Sequence, residues 1–358
     1  MSKNIKKILV IIVVLGAVVM SIVMWQIYRL AFIDNTSFEN TEAHVYISTG
    51  STFQEVLLDL EPLLKNPESF ETLAYQKQYA ENIKPGHFIL RKGMTNNDMI
   101  TVLRSQNIPV HVKFNNQERL ENLAGAISRQ IEADSLSLIQ AFRDEEFLEQ
   151  MNLNRDNALV LYIPNTYEFY WNTSAEGFRD RMKTEYEKFW TENRVEKAQK
   201  LNLSKEEVIS LAAIVQKETA MADERPRVAG VYLNRLKIGM LLQADPTVIY
   251  AIKRNTNDFD QVIKRVLYVD LETDSPYNTY KYPGIPPGPI AMPDISSIDA
   301  VLNPENHSYL YFVADVENFG YHKFAKTLAQ HNINKQDYIR WLNSQEKSAR
   351  IPAGAGSQ

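Results

Sequence analysis

The chain begins with a run that is apolar on every face. Ile8 to Tyr28 spans 21 residues without a charge, and only Ser21 and Gln26 are clearly polar. About 20 apolar residues in a helix cross the ~30 Å hydrocarbon core of a bilayer. Lys3, Lys6 and Lys7 precede the run, so the positive-inside rule puts the N-terminus in the cytoplasm; Trp25 and Tyr28 suit the far interface. A cleaved signal peptide would have a shorter apolar region followed by small residues. Here Trp25-Gln26-Ile27-Tyr28-Arg29 follows instead. The pattern predicts a cytoplasmic stub over 1–7, a transmembrane helix over 8–28 and a linker over 29–43, polar from Asp34 onward.

Shorter patterns then alternate. Val45-Tyr46-Ile47 reads as a strand, and Ser51-Thr52 as the cap of a helix. A second helical stretch covers Glu68–Glu81. Pro85-Gly86 turns into a strand over His87–Leu90, and Gly93 into a helix over 95–103. Pro109–Phe114 alternates as a strand. This order predicts a small α+β module over 44–114. From Gln117 helices dominate, over Leu120–Glu132, Ser135–Arg143 and Glu145–Met151. An aromatic, apolar segment (Leu159–Trp171), an amphipathic helix (Glu176–Asn193) and a buried strand (Tyr309–Asp315) follow. They predict a larger α+β domain over 115–345, with a disordered tail over 346–358.

One helix carries a candidate catalytic group. Ser204-Lys205-Glu206-Glu207 is a capping box, so a helix starts at Lys205. Its apolar stripe is Val208, Leu211, Ala212 and Val215, and the next position on that face is Glu218 or Thr219. A carboxylate ending a core-facing stripe is partly buried, which raises its pKa; the negative end of the helix dipole adds to this, and Arg225 or Arg227 would oppose it. A raised carboxyl pKa suits a general acid near neutral pH. By spacing alone, a Glu fraying outward from the helix end is the plainer reading. A second helix, about Glu224 to Lys237, leads to a loop in which Gln243, Asp245 and Thr247 gather an amide, a carboxylate and a hydroxyl. Pro276-Tyr277-Asn278-Thr279-Tyr280 and Gly284–Ile290 follow, dense in proline and glycine and therefore irregular. Aromatic rings beside Asn, Gln and Thr are the makings of a sugar-binding groove.

Composition removes other chemistries. Cysteine is absent, which excludes disulfides, thiolate catalysis and Cys-type metal sites. The net charge is −5; the first 34 residues carry four basic groups and one acidic, so the remainder carries −8. That balance argues against nucleic acid as a partner. The six histidines lack His-Glu-x-x-His spacing, no Gly-x-Ser-x-Gly elbow is present, and no phosphate-binding glycine loop is present. The expectation is no cofactor and no metal. His322 could line the site, but a structural hydrogen bond is the plainer reading.

The stretches Leu211–Thr219, Val231–Met240, Leu242–Tyr250, Tyr277–Tyr280, Gly284–Ile290 and Tyr309–Ala314 resemble, in order, those of the YceG-like family, the endolytic murein transglycosylases. The resemblance implies an α+β fold with a single N-terminal transmembrane helix, a small LysM-like module and a larger YceG-like catalytic domain. It implies that Glu218, of Lys217-Glu218-Thr219, is the catalytic residue. Gln243, Asp245, Asn278 and Tyr280 are the expected substrate-binding residues. Two positions depart from the family pattern: Gln216, where Glu is common, and Asn165, where Asp is usual.

The activity implied is cleavage of the β-1,4 bond between N-acetylmuramic acid and N-acetylglucosamine within nascent glycan strands. Such a lyase needs one carboxyl group, because an intramolecular hydroxyl replaces water as nucleophile. The expected partners are peptidoglycan strands, the inner (cytoplasmic) membrane through the single anchor, and the peptidoglycan synthesis machinery. Two other readings fit the residues. One is a two-carboxylate hydrolase using Glu218 and Asp245, although Asp before Pro also simply starts turns. The other is a membrane-anchored scaffold that binds peptidoglycan without cleaving it.

Overall fold

The structure is a computed structural model and describes residues 3–349. Helix α1 (Lys3–Phe32) is continuous through the apolar run, and an 18-residue stretch within residues 4–32 reaches a mean hydropathy of 3.0 with no burial against protein. It is long and apolar enough to cross a membrane.

The chain divides into two compact units. The first comprises residues 1–112, 127–134 and 167–174; the second comprises 113–126, 135–166 and 175–358. This differs from the single boundary near 114 that the sequence predicts.

In the first unit β1 (Glu42–Ile47) pairs antiparallel with β2 (Gly86–Arg91), Ile47 opposite Gly86 and Glu42 opposite Arg91. Between them lie α2 (Phe53–Leu60) and α3 (Pro67–Gln76), and α4 (Asn96–Ser105) follows β2. Of the two caps offered by sequence, Thr52 is the one used. It forms a capping box with Glu55, and Thr95 does the same with Asp98 at α4. Val45 and Ile47 alternate inward on β1, and Phe88 and Leu90 do so on β2. They pack with Val56, Leu60, Phe70, Leu73, Met99 and Leu103 as one core. Each such side chain, fully buried, stabilises the unit by ~1.5–3 kcal/mol.

The expected linker over 29–43 is not one. Helix α1 runs four residues past its expected end, and Asn35 and Thr36 are buried in the first unit. Asn35 donates from Nδ2 to Asn96 Oδ1 at 2.7 Å, and Asn96 donates to the Leu30 carbonyl at 2.8 Å. The polar residues that suggested a loop are those that satisfy the backbone of a packed segment.

Strands β3 (Val110–Phe114) and β4 (Asn165–Phe169) pair with each other. Helices α5 (Leu120–Ile127), α6 (Ser135–Phe142) and α7 (Glu145–Gln150) are shorter than predicted. The expected helix over 176–193 is two: α8 (Ala175–Phe189) and α9 (Glu192–Lys200), the second capped by Thr191.

The second unit is built around α10 (Lys205–Glu218), which packs against α11 (Arg225–Lys237), α12 (Asp245–Thr256) and α13 (Ile295–Leu302). Residues 208–215 are all buried, so α10 is covered on every side and its stripe reading is too narrow. The expected strand Tyr309–Asp315 shortens to β5 (Tyr311–Ala314), and its first three residues are only half-buried. It pairs antiparallel with β6 (His322–Ala325), and α14 (Leu328–Ala349) packs on that hairpin. Helix α14 occupies 346–349 of the expected disordered tail; residues 350–358 lie outside the described residues.

Candidate active site

Ser204 caps α10, accepting from the Glu207 backbone while Glu207 returns the bond, an arrangement worth ~1 kcal/mol. The helix ends at Glu218, and Thr219 leaves it in extended conformation. Glu218 is therefore the last helical residue of the most buried helix. Its carboxyl lies at the end of that core, half-buried.

Helix α11 returns alongside α10 and brings Tyr232 to it. The Tyr232 hydroxyl, itself buried, donates to Glu218 Oε1 at 2.8 Å. Burial pushes the Glu218 carboxyl up to about 7, and the negative charge of Asp245 acts in the same direction. The Tyr232 hydrogen bond and the positive charges of His322 and Arg235 oppose the rise. The expected cations, Arg225 and Arg227, are engaged elsewhere: Arg225 with Ser296 and Asp294, Arg227 with Glu305. Tyr232 and Arg235, three residues apart, share the face toward the site; Arg225 lies on that face but two turns away, and Arg227 on another face.

Arg235 is buried and structural. Its guanidinium binds the carbonyls of Leu310 and Leu242, tying the loop after α11 to the approach to β5. His322 behaves as the sequence suggests, with Nδ1 2.8 Å from Glu224 Oε2. Burial alone would raise the Glu224 carboxyl, yet His322 holds it below the usual carboxylate range. The same histidine contributes positive charge at Glu218, a role the sequence did not reveal.

The expected substrate-binding residues separate into two groups. Asp245 is exposed and is the first residue of α12 rather than part of a loop. Tyr280 donates its hydroxyl to Asp245 Oδ1 at 2.6 Å. Both act electrostatically on Glu218 or Tyr232, so they lie near the same carboxyl. Gln243 is exposed, with a left-handed backbone (φ 50°) and its N–H on the Thr279 carbonyl at 3.0 Å.

Asn278 is a correction. It is fully buried, and its amide donates to the carbonyls of Leu271 and Thr273 while its Oδ1 accepts from the Tyr280 backbone. Both amide hydrogens and the carbonyl oxygen bond within its own loop, so it shapes the loop that presents Tyr280. Thr247 is likewise buried, bonded to the Ala244 carbonyl and to Thr279. The proline loop is pinned at Gly288, where a Cβ would meet the Asp156 carbonyl oxygen at 2.1 Å.

The departure at Gln216 lies outside the cleft. Its Oε1 accepts from the Asp294 N–H at 2.6 Å and the Ser297 hydroxyl at 2.9 Å, which caps α13. A glutamate would accept the same two bonds. Asn165, the other departure, is exposed at the start of β4, where its Oδ1 accepts from the Thr166 N–H at 2.8 Å. No group of three or more metal-ligating side chains occurs among the described residues.

The sequence model of the YceG-like family matches residues 45–337. The chain belongs to the YceG-like family. The endolytic murein transglycosylase of Bacillus subtilis strain 168 is 31% identical over 323 residues, covering 85% of this chain and 86% of that protein. The endolytic murein transglycosylase of Streptococcus pneumoniae serotype 2 is 27% identical over 326 residues, covering 82% of this chain and 58% of the longer relative. A crystal structure of a YceG-like protein from Listeria monocytogenes superposes with a TM-score of 0.54 at 28% identity, covering 82% of this chain and 99% of that one. The family stretches quoted from sequence are those that converge here: the end of α10, the face of α11, the start of α12 and the loop bearing Tyr280.

Proposed function

We propose that this protein is a peptidoglycan lytic transglycosylase that cuts the β-1,4 bond between N-acetylmuramic acid and N-acetylglucosamine inside glycan strands. The observation that carries the reading is a half-buried carboxyl with its pKa raised to about 7, hydrogen-bonded by a buried tyrosine. Such a group is part-protonated at neutral pH and suits an acid that must become a base within one turnover.

In the first step Glu218 gives its proton to the leaving glycosidic oxygen. Its carboxylate then takes the proton of the muramyl C6 hydroxyl, which attacks C1 of the same sugar. The products are a strand with a free N-acetylglucosamine 4-hydroxyl and a strand ending in a 1,6-anhydro ring, and the enzyme recovers its proton. Tyr232 holds the carboxylate form between the two transfers. Asp245, bound by Tyr280, borders the cleft as a fixed negative charge and keeps Glu218 from ionising early.

The relatives' name and the family support the chemistry. The β–α–α–β order of the first unit supports a LysM-like role in binding glycan, and α1 supports a single-pass anchor with the N-terminus in the cytoplasm. An anchored enzyme works beside the membrane, where new strands emerge, which suits a role in limiting glycan length alongside the synthesis machinery.

The test is mass spectrometry of products from uncrosslinked strands, using the full chain in detergent beside Glu218→Gln. Internal cuts ending in 1,6-anhydro sugars, absent with the variant, are expected. Products carrying an added water would favour a hydrolase using Asp245, and cleavage by neither protein would favour a binding scaffold.

A further inference from the structure

Beside the end of α10 that carries Glu218 lies a cavity of about 170 Å³, lined by Glu118, Lys217, Pro246, Ile249, Tyr250, Lys253 and Ile290. Its position follows from two helices. Lys217 directly precedes Glu218 on α10, and Pro246 directly follows Asp245 on α12. Each helix thus lines this cavity with the immediate neighbour of a residue of the Glu218 site.

The chemistry of the cavity differs from that of the cleft. Glu118 lies between two ammonium groups, with Oε1 2.8 Å from Lys217 Nζ and Oε2 2.9 Å from Lys253 Nζ. Burial would raise the Glu118 carboxyl, but the two lysines outweigh it and hold it below the usual range. The cluster therefore carries one uncompensated positive charge. Each ammonium has three donors, so one carboxylate does not exhaust the pair. The Lys253 side chain is only 13% exposed, and Ile249, Tyr250, Pro246 and Ile290 wall the space. A half-enclosed apolar wall strengthens an ion pair relative to open water.

The cavity is small beside the ~300–1,000 Å³ typical of a ligand pocket. It suits a side chain or chain end rather than another sugar. We propose that this lysine pair is a subsite for a carboxylate of the peptide that branches from the muramyl sugar beside the scissile bond. The inference rests on the lytic reading of the cleft. It adds that the enzyme distinguishes strands carrying acidic peptides from naked glycan.

The test measures kcat/KM on peptide-bearing strands and on the same strands stripped of peptide, and takes the ratio. A charge-assisted contact of this kind corresponds to a ratio of about tenfold or more in the wild-type chain. Lys253→Gln is expected to lower the ratio toward one. Glu118→Gln is expected to raise it, because the resident carboxylate no longer competes. Strands whose peptide carboxyls are amidated are expected to lower the wild-type ratio without any change to the protein, which keeps the test independent of folding. A wild-type ratio near one, or a ratio that neither variant nor amidation moves, overturns the subsite while cleavage of naked strands preserves the lytic reading. Cleavage of neither substrate by the wild-type chain overturns both.

Discussion

Tyr232→Phe isolates the hydrogen bond that, among the described residues, is made to the proposed catalytic carboxyl Glu218. The phenol and Glu218 Oε1 are 2.8 Å apart, and the ring is buried, so the variant keeps the packing and removes only the donor. A hydrogen bond to a charged group contributes ~1.5–3 kcal/mol. Because the phenol favours the carboxylate over the acid, its loss raises the Glu218 pKa above its value of about 7. At 1.36 kcal/mol per unit the rise is ~1–2 units. Glu218 must hold a proton to begin the reaction, so strand cleavage declines as pH rises through its pKa. The assay is the pH dependence of kcat between pH 5 and pH 10, read from anhydro products. The alkaline decline is expected to move upward by ~1–2 units in the variant. The plateau falls as well, because the carboxylate formed after the first proton transfer is less stabilised. An unmoved or lowered decline would refute the assignment of Tyr232 as the donor that tunes Glu218.

Three further outcomes follow from the same geometry. The raised Glu218 pKa means that the folded chain holds a proton that the unfolded chain releases, so stability falls as pH rises from about 4.5 to about 7. After allowance for water reaching the half-buried carboxyl, the loss is ~2–3 kcal/mol; Glu218→Gln should therefore gain melting temperature over wild type at pH 8 but not at pH 4, and equal differences at both would count against the shift. Asn278→Ala leaves two buried carbonyls without their donor and should cost ~2–4 kcal/mol in denaturant melts with KM unmoved, whereas a raised KM with unchanged melting would restore it as a glycan contact. Gln216→Ala should lose the cap of α13 and ~1–2 kcal/mol, while Gln216→Glu should keep it through the same acceptor and a favourable charge at the helix N-terminus; thermal melts of the pair decide this.

The patterns that act locally were legible in the chain. The apolar run over 8–28 can only be a long helix, because nothing in it interrupts the period and nothing polar needs a partner. The capping box at Ser204 starts α10 where predicted, since the cap and its reciprocal glutamate lie within four residues of each other. The stripe that runs out at Glu218 pointed to a partly buried carboxyl, and the structure places it so. What spacing could not supply was which residues surround that carboxyl. Tyr232, Arg235 and His322 lie 14, 17 and 104 positions further along the chain, and only the packing of α11 against α10, with Phe312 of β5 against Tyr232, brings them to bear on Glu218.

The same limit explains the corrections. Asn278 and Thr247 have the chemistry of sugar-binding residues, but residue type does not reveal which way a side chain faces. In the folded chain their hydrogen bonds go to their own loop. The polar stretch after α1 looked like a linker because its asparagines and threonines are turn formers. They are also the groups that can satisfy a buried backbone, and burial is a property of the assembled unit. Sequence by itself determined the apolar helix, the starts of α2, α10 and α11 and the catalytic candidate. Tertiary structure alone decided its pKa, its hydrogen-bond donor and the lysine-lined cavity beside it. All three are set by groups far apart in the chain, whose interaction energies depend on distance and on exclusion of water.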